Sequence, residues 1–254
     1  MLAGSHLSNN ISWVHDRTFF RYCICQQRYY TSAMQDFLRA PDDALAHSRQ
    51  FFKNIPGDTS TVAVVRVNGV PLVVKRYNVK GFWHGLKLLF RPSRAMISWR
   101  NANRLRALNI PTIEPVAVLE KRLGLFRRQA YFISRYVVGL SGSDYFAHQG
   151  QSPEACVVAI TAIVNILRQL GAAKIHHNDF HHSNFIMVGN QPLLIDLDHM
   201  RQYRYSTRGF AQAHQKDIAQ FRHYLAGNTL ALELFEKALQ SLESCRESCS
   251  LDAI

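Results

Sequence analysis

The sequence predicts an α+β fold in two halves, the first antiparallel and β-rich with one helix, the second mainly helical. Three observations carry this. Two β-branched runs, 61–67 (TVAVVRV) and 70–77 (VPLVVKRY), meet at the dipeptide Asn68, Gly69, which supplies the two positive φ angles of a type I′ turn. A long apolar segment follows Ser152 and Pro153, residue types that open a helix. Between them, residues 139–143 are rich in Gly and Ser and interrupt both patterns.

Residues 1–40 are aromatic and polar with weak periodicity, which fits either a loosely ordered extension or an extra helix. Residues 42–52 read as a short helix ended by Pro56 and Gly57. After the hairpin, 93–108 reads as a helix with Ser93 as N-cap and Ile110, Pro111 beyond its end. Residues 112–120 and 129–138 read as two further strands, joined by a basic turn that carries Lys121, Arg122, Arg127 and Arg128. The segment 153–170 is apolar around much of its circumference and reads as a core helix. Short strands follow at 185–188 and 193–197 around Gly189 and Asn190, then helices at 207–225 and 230–244. The expected division is an extension over 1–40, a β-rich part over 41–138 and a helical part over 139–254, together forming one catalytic domain.

The chain has 254 residues, 47% hydrophobic and 19% charged, proportions that exclude a disordered or collagen-like chain. Lys and Arg number 30 against 18 Asp and Glu, a formal charge of +12 that favours an anionic partner: nucleic acid, an acidic membrane surface or a phosphorylated small molecule. Five Cys (Cys23, Cys25, Cys156, Cys245 and Cys249) at irregular spacing make a poor disulfide framework and suit reduced thiols. The most apolar run, 155–170, is interrupted by Asn165, Arg168 and Gln169, so no transmembrane helix is expected. Residues 1–10 lack a basic n-region, so no signal peptide is expected. The expected location is therefore cytoplasmic, with peripheral membrane contact.

The densest polar cluster is 176–184 (HHNDFHHSN), followed by Asp196 and Asp198 at the end of the short hairpin. Four His and one Asp within seven residues raise the question of zinc, but neither HExxH nor a Cys-bearing pair is present. Phosphoryl transfer accounts for more. Asp179, Asn184 five residues on, and Asp196 beyond a hairpin have the spacing of a protein-kinase catalytic loop and metal-binding strand. A loop carboxylate can orient an acceptor hydroxyl and take its proton. An amide oxygen and a carboxylate are hard ligands suited to Mg²⁺. The same chemistry calls for a Lys in the β-rich half, and Lys75 sits there among apolar residues (LVVK), where the phosphates of ATP would offset its charge. The bland alternative for Lys75 is an edge-strand residue facing water.

These residues resemble the kinase-like superfamily, and within it the small bacterial kinases that phosphorylate lipopolysaccharide inner-core sugars, heptose or 3-deoxy-manno-octulosonic acid (Kdo). His177, Asn178 and Asp179 stand where kinases have His-Arg-Asp, and 196–198 (DLD) replaces Asp-Phe-Gly. Residues 93–118 also resemble that family's segment before the hinge. The resemblance covers roughly 45–225 and implies a bilobal protein-kinase-like fold. It implies that Asp179 is the catalytic carboxylate, that Asn184 and Asp196 bind Mg²⁺, and that Lys75 holds the α/β-phosphates of ATP. It further implies a phosphate-covering turn over Gly57, Asp58, Thr59 and Ser60, and a hinge beside the adenine that includes Ser134 and Tyr136.

Two departures stand out: Gly57 is the turn's only glycine, and 93–108 has no acidic partner for Lys75, a part that Asn101 or Asn103 could take by hydrogen bond. Asp198 reads as a further metal neighbour or, preferably, a solvated strand end. Asp217 reads equally as a brace for the catalytic loop or as an exposed helix residue.

The leading function is an ATP- and Mg²⁺-dependent kinase of a lipopolysaccharide core sugar, peripheral on the anionic inner face of the inner membrane. A small-molecule kinase of the aminoglycoside or choline type is the alternative, but its cationic acceptors would meet Arg201, Arg204 and Arg208. A pseudokinase serving as a basic membrane-binding module is a third reading. It draws on 80–106, where Phe82, Trp83, Leu86 and Trp99 alternate with Lys87, Arg91, Arg94 and Arg100. The basic residues cluster around the proposed site, which makes nucleic acid the weaker partner.

Overall fold

The computed structural model describes residues 11–53, 59–78, 91–124, 126–147 and 152–251, with 242–251 by backbone alone. It is mixed α/β, with a β-rich unit (Met1–Trp99 with Pro115–Tyr136) and a second, largely helical unit (Arg100–Glu114 with Val137–Ile254).

The β-rich unit is a seven-stranded antiparallel sheet. Its strands are β1 (Trp13–Arg17), β2 (Arg21–Gln26), β3 (Gln50–Lys53), β4 (Ser60–Val67), β5 (Val70–Tyr77), β6 (Pro115–Leu123) and β7 (Phe126–Arg135), in the order β1-β2-β6-β7-β5-β4-β3. The β4–β5 turn has φ +49° at Asn68 and +77° at Gly69, both positive as a type I′ turn requires. Helices α1 (Ser32–Arg39) and α2 (Pro41–Ala46) pack on β4. Met34, Phe37, Leu38 and Leu45 from these helices bury against Ala63, Val65, Leu72, Val74 and Ile133 of the sheet. Side chains alternate across a strand. Since Leu72 and Val74 face this core, Lys75 and Tyr77 belong to the opposite face. There the Tyr77 hydroxyl lies 3.0 Å from Ser98 Oγ on α3 (Arg94–Ala107).

Several expectations shift here. Residues 11–40 supply two strands and a helix of this unit rather than an extension. Residues 23–26 of β2 are all buried, so the strand shows no polar/apolar alternation to read. The helix expected over 42–52 stops at Ala46, and Gln50–Lys53 is an edge strand. The unit thus holds α1 and α2 as well as the start of α3, not one helix. The strands expected at 112–120 and 129–138 run from Pro115–Leu123 and Phe126–Arg135, so the basic residues lie in the strands. Pairing makes this possible. Buried Glu120 bonds Arg122 and stands 3.7 Å from Arg127, while Lys121 reaches Asp42 at 2.7 Å. Asp42 also accepts from Tyr131 at 2.7 Å. Burial pushes the Asp42 pKa up, but the bonds from Lys121 and Tyr131 and the Arg76 charge outweigh it and hold the carboxyl below its usual range.

Ser93 caps α3 as expected, accepting from Met96 N at 3.1 Å and donating to Glu120 at 2.5 Å. Cys23 and Cys25 are buried free thiols, pushed up to about 12 by burial.

The second unit is built on α5 (Pro153–Ala172), which packs against α7 (Thr229–Leu251) and short strands β9 (Ile175–His176) and β11 (Gln191–Leu194). Ser152 caps α5, accepting from Ala155 N at 3.2 Å. By length and composition alone α5 could cross a membrane, contrary to the expectation from its three polar interruptions. Its buried residues, among them Ile160, Ile163, Ile166, Leu167 and Leu170, make it a core helix of this unit. Strands β8 (Leu140–Ser141) and β10 (Phe185–Val188) join β11 in a three-stranded sheet, and β12 (Arg201–Gln202) pairs with β9. The hairpin's second strand ends at Leu194, not at 197. Helix α4 (Gly142–Ala147) follows β8, and α6 (Thr207–Leu225) follows β12.

Candidate active site

The loop from β9 to β10 carries the cluster that the sequence singled out. It is held from below and from one side. From below, Phe180 is fully buried against Phe185 and Phe221, with ring centroids 5.3 and 5.4 Å away. From the side, α6 presents Asp217 and Gln220, three residues apart and so on one helical face. Asp217 is 1% exposed, with Oδ2 accepting from His177 N at 2.8 Å and Oδ1 from Asn178 N at 3.0 Å. Burial pushes Asp217 up to about 7, against the pull of those two backbone donors. Of its two sequence readings, the brace is the one observed. Gln220 completes the clamp: its Oε1 accepts from Phe180 N at 3.1 Å and its Nε2 donates to Asp179 Oδ1 at 3.0 Å.

Asp179 is therefore fixed at both oxygens. Asn184 Nδ2 donates to Asp179 Oδ2 at 3.0 Å and to its carbonyl at 2.8 Å, while His181 Nε2 stands 3.2 Å from Oδ1. The Asp179 side chain keeps 37% exposure, so a solute can reach it. With its amide nitrogen spent on Asp179, Asn184 has its Oδ1 left as the atom that could ligate a metal.

Asp196 follows at once in space. Ile195 N donates to Asn184 O at 2.9 Å, which sets Asn184 beside the residue preceding Asp196. Asp196 takes a left-handed conformation (φ +57°), a sparsely populated region for a residue other than Gly. Asn101, expected as a hydrogen-bond substitute near Lys75, is used elsewhere. It is buried and donates to Leu197 O at 2.8 Å and Met200 O at 3.4 Å, bracing the turn after Asp196. His177 is buried under the same turn with Nε2 3.2 Å from Ile195 O. Burial pushes its pKa down to about 4, so the neutral ring donates to that carbonyl. Asp198 is buried, 3.3 Å from His199 Nε2, not the solvated strand end preferred from sequence.

The oxygen donors of Asn184 and Asp196 fit Mg²⁺ in type, as hard ligands. No group of three or more His, Cys, Asp or Glu able to hold a metal is present among the described residues.

The other expected site residues belong to the β-rich unit. Lys75 lies on an interior strand, opposite Val62 and Phe132, so the edge-strand reading does not apply. Its Nζ stands 5.2 Å from the Tyr77 ring centroid. Thr59 accepts from Arg94 at 3.2 Å, and Ser60 is buried opposite Tyr77. Gly57 and Asp58 lie outside the described residues, as does the 80–90 part of the basic–aromatic segment. Ser134 is buried opposite Val73, and Tyr136 stacks on Phe52 at 6.4 Å.

The model of the Lipopolysaccharide kinase (Kdo/WaaP) family matches residues 57–244, about three quarters of the chain. The chain belongs to this family. The matched span includes Lys75, Asp179, Asn184, Asp196, Asp217 and Gln220. Membership makes the protein a kinase of the lipopolysaccharide class. No curated protein matches the chain.

Gln220 is the residue that the sequence reading missed. In isolation it looks like one more polar residue on an amphipathic helix; only its spacing of three from Asp217 hints at a shared face. One net hydrogen bond is worth about 1 kcal/mol, about fivefold in rate. Gln220→Ala is expected to lower kcat by roughly fivefold and leave the KM for ATP unchanged. Steady-state rates over an ATP series check this.

Proposed function

We propose that the protein transfers the γ-phosphoryl group of ATP to a hydroxyl of a lipopolysaccharide inner-core sugar, heptose or Kdo, within a bilobal kinase-like fold. The observation that carries the reading is the fixed Asp179 carboxylate, bonded to Asn184 and Gln220 yet open to solute, in a chain of this family. In this reading Asp179 orients the acceptor hydroxyl and takes its proton as the bond to phosphorus forms. Bound Mg²⁺ would supply charge neutralisation on the phosphates. Asn184 and Asp196 hold that ion, and Lys75 holds the α/β-phosphates of ATP. The neutral His177 ring and Asn101 keep the 195–200 turn in place through its carbonyls, so the donors need not reorganise during transfer.

An anionic acceptor also suits the surroundings of the turn. Arg104 bonds Asn101 at 3.1 Å, and burial first, then neighbouring Arg204 and Arg100, lower its pKa. Three cations held this close favour an acidic ligand. Because the acceptor is a membrane glycolipid, the protein would work at the inner face of the inner membrane as a peripheral protein.

The test is transfer of labelled phosphate from Mg·ATP to two purified acceptors, a heptose-free Kdo-terminated glycolipid and a heptosylated core. Label on one acceptor and not the other names the sugar. Label on neither, with label on an aminoglycoside, would reverse the assignment.

A further inference from the structure

Four large apolar side chains stand exposed together at one end of the seven-stranded sheet. Phe19 is 62% exposed, Phe20 65%, Leu123 52% and Phe126 45%. They belong to two turns that the sheet order places side by side. Gly124 N donates to Phe19 O at 3.0 Å and Arg122 N to Phe20 O at 2.7 Å, so the β1–β2 turn is sewn to the end of β6.

The exposure is built rather than incidental. The β1–β2 turn is closed by Thr18 N donating to Arg21 O at 2.8 Å, with Thr18 Oγ1 accepting from Phe20 N and Arg21 N. Its two central positions, where Gly, Asn and Asp are the usual residues, are Phe19 and Phe20. Their rings meet edge to face at 5.2 Å. The Phe19 ring packs over Gly124, 3.0 Å from where a Cβ would stand, and Gly124 itself has φ +61°, a conformation that favours glycine.

Cations flank the apolar tip. Residues 16–22 and 120–128 hold six (Arg17, Arg21, Lys121, Arg122, Arg127 and Arg128). Four are paired: Arg21 with Asp16, Arg122 and Arg127 with Glu120, and Lys121 with Asp42. Arg17 and Arg128 are exposed.

An exposed aromatic tip flanked by the exposed Arg17 and Arg128 matches one kind of surface better than any other. A protein partner would need a pocket shaped to receive it, whereas the interface of a bilayer deforms around it and anionic headgroups meet the arginines. We propose that the paired β1–β2 and β6–β7 turns dock the kinase onto an anionic lipid bilayer, with Phe19, Phe20, Leu123 and Phe126 entering the headgroup region. This inference rests on the membrane-held acceptor of the proposed function.

The test uses the full chain with protein-free vesicles of phosphatidylcholine, with and without phosphatidylglycerol. Wild type is expected to co-sediment with the anionic vesicles only. Phe19→Ser/Phe20→Ser is expected to bind them at least tenfold more weakly while phosphorylating a deacylated, water-soluble core oligosaccharide at the wild-type rate. Tryptophan emission of Phe20→Trp is expected to shift to the blue, relative to wild type, on anionic vesicles. Unchanged binding of the double variant, equal binding to neutral vesicles, no binding to protein-free vesicles or no blue shift would each overturn the inference. Failure of wild type to phosphorylate the soluble acceptor would count against the proposed function instead, and the vesicle results would still decide the docking surface.

Discussion

Replacing Asp179 with alanine is expected to lower the single-turnover rate of phosphoryl transfer by about a thousandfold, within the range that a positioned general base contributes, and to leave ATP binding in place. The geometry separates these effects. The carboxylate is the group aimed at solute, and the contacts it loses are donors from Gln220 and Asn184 at a partly open position. Water can take over those donors, so the melting temperature should change little. The measurement pairs rapid-quench transfer of labelled phosphate with titration of ATP. Full activity would remove Asp179 from the reaction. A parallel loss of ATP affinity would show that the loop had collapsed rather than lost its base.

Asp217→Leu carries the largest stability cost. It strands the buried N–H of His177 and the partly buried N–H of Asn178, for about 3 kcal/mol from the two lost acceptors, and a lower urea midpoint reads it. Activity falls with it, because the loop's path past Asp179 depends on those bonds.

The milder Asp217→Asn adds a pH signature. In the folded protein Asp217 titrates near 7 rather than its ordinary 3.8, so between those values the fold holds a proton that the unfolded chain has released. That contribution favours the fold on the acid side and is lost as pH rises through about 7. His177 acts oppositely. Its pKa falls from 6.5 to about 4, so its contribution is present above 6.5 and lost as pH drops toward 4. In wild type the two trends oppose each other. Asp217→Asn keeps only the second, so its deficit against wild type should widen as pH is lowered from 7 to 4. Urea midpoints across that interval check this, and a deficit independent of pH would contradict it.

What could be read from the sequence was what is encoded locally. The Asn68, Gly69 turn, the Ser93 and Ser152 caps and helix Thr207–Leu225 each depend on residues a few positions apart, and the structure places them as expected. The Asp179 and Asn184 pair is equally local, five residues apart and bonded directly. Features that depend on distant partners were hidden. Strand β2 is buried by β1 and β6 and shows no alternation. The basic residues of β6 and β7 looked like a turn because Asp42, which pairs with Lys121, lies 79 positions away. Gln220 meets Asp179 across 41 positions. Asn101 reaches Leu197 across 96, which is why a residue expected to serve Lys75 serves the turn after Asp196.

The clamp from α6 has a further consequence. Asp217 and Gln220 grip the loop by the backbone N–H groups of His177, Asn178 and Phe180, which every residue except proline carries. What restricts position 178 is its own backbone: φ there is +67°, a left-handed conformation that Asn and Gly take readily and β-branched residues do not. The anchorage therefore tolerates a new side chain at 178 only where the residue accepts that conformation.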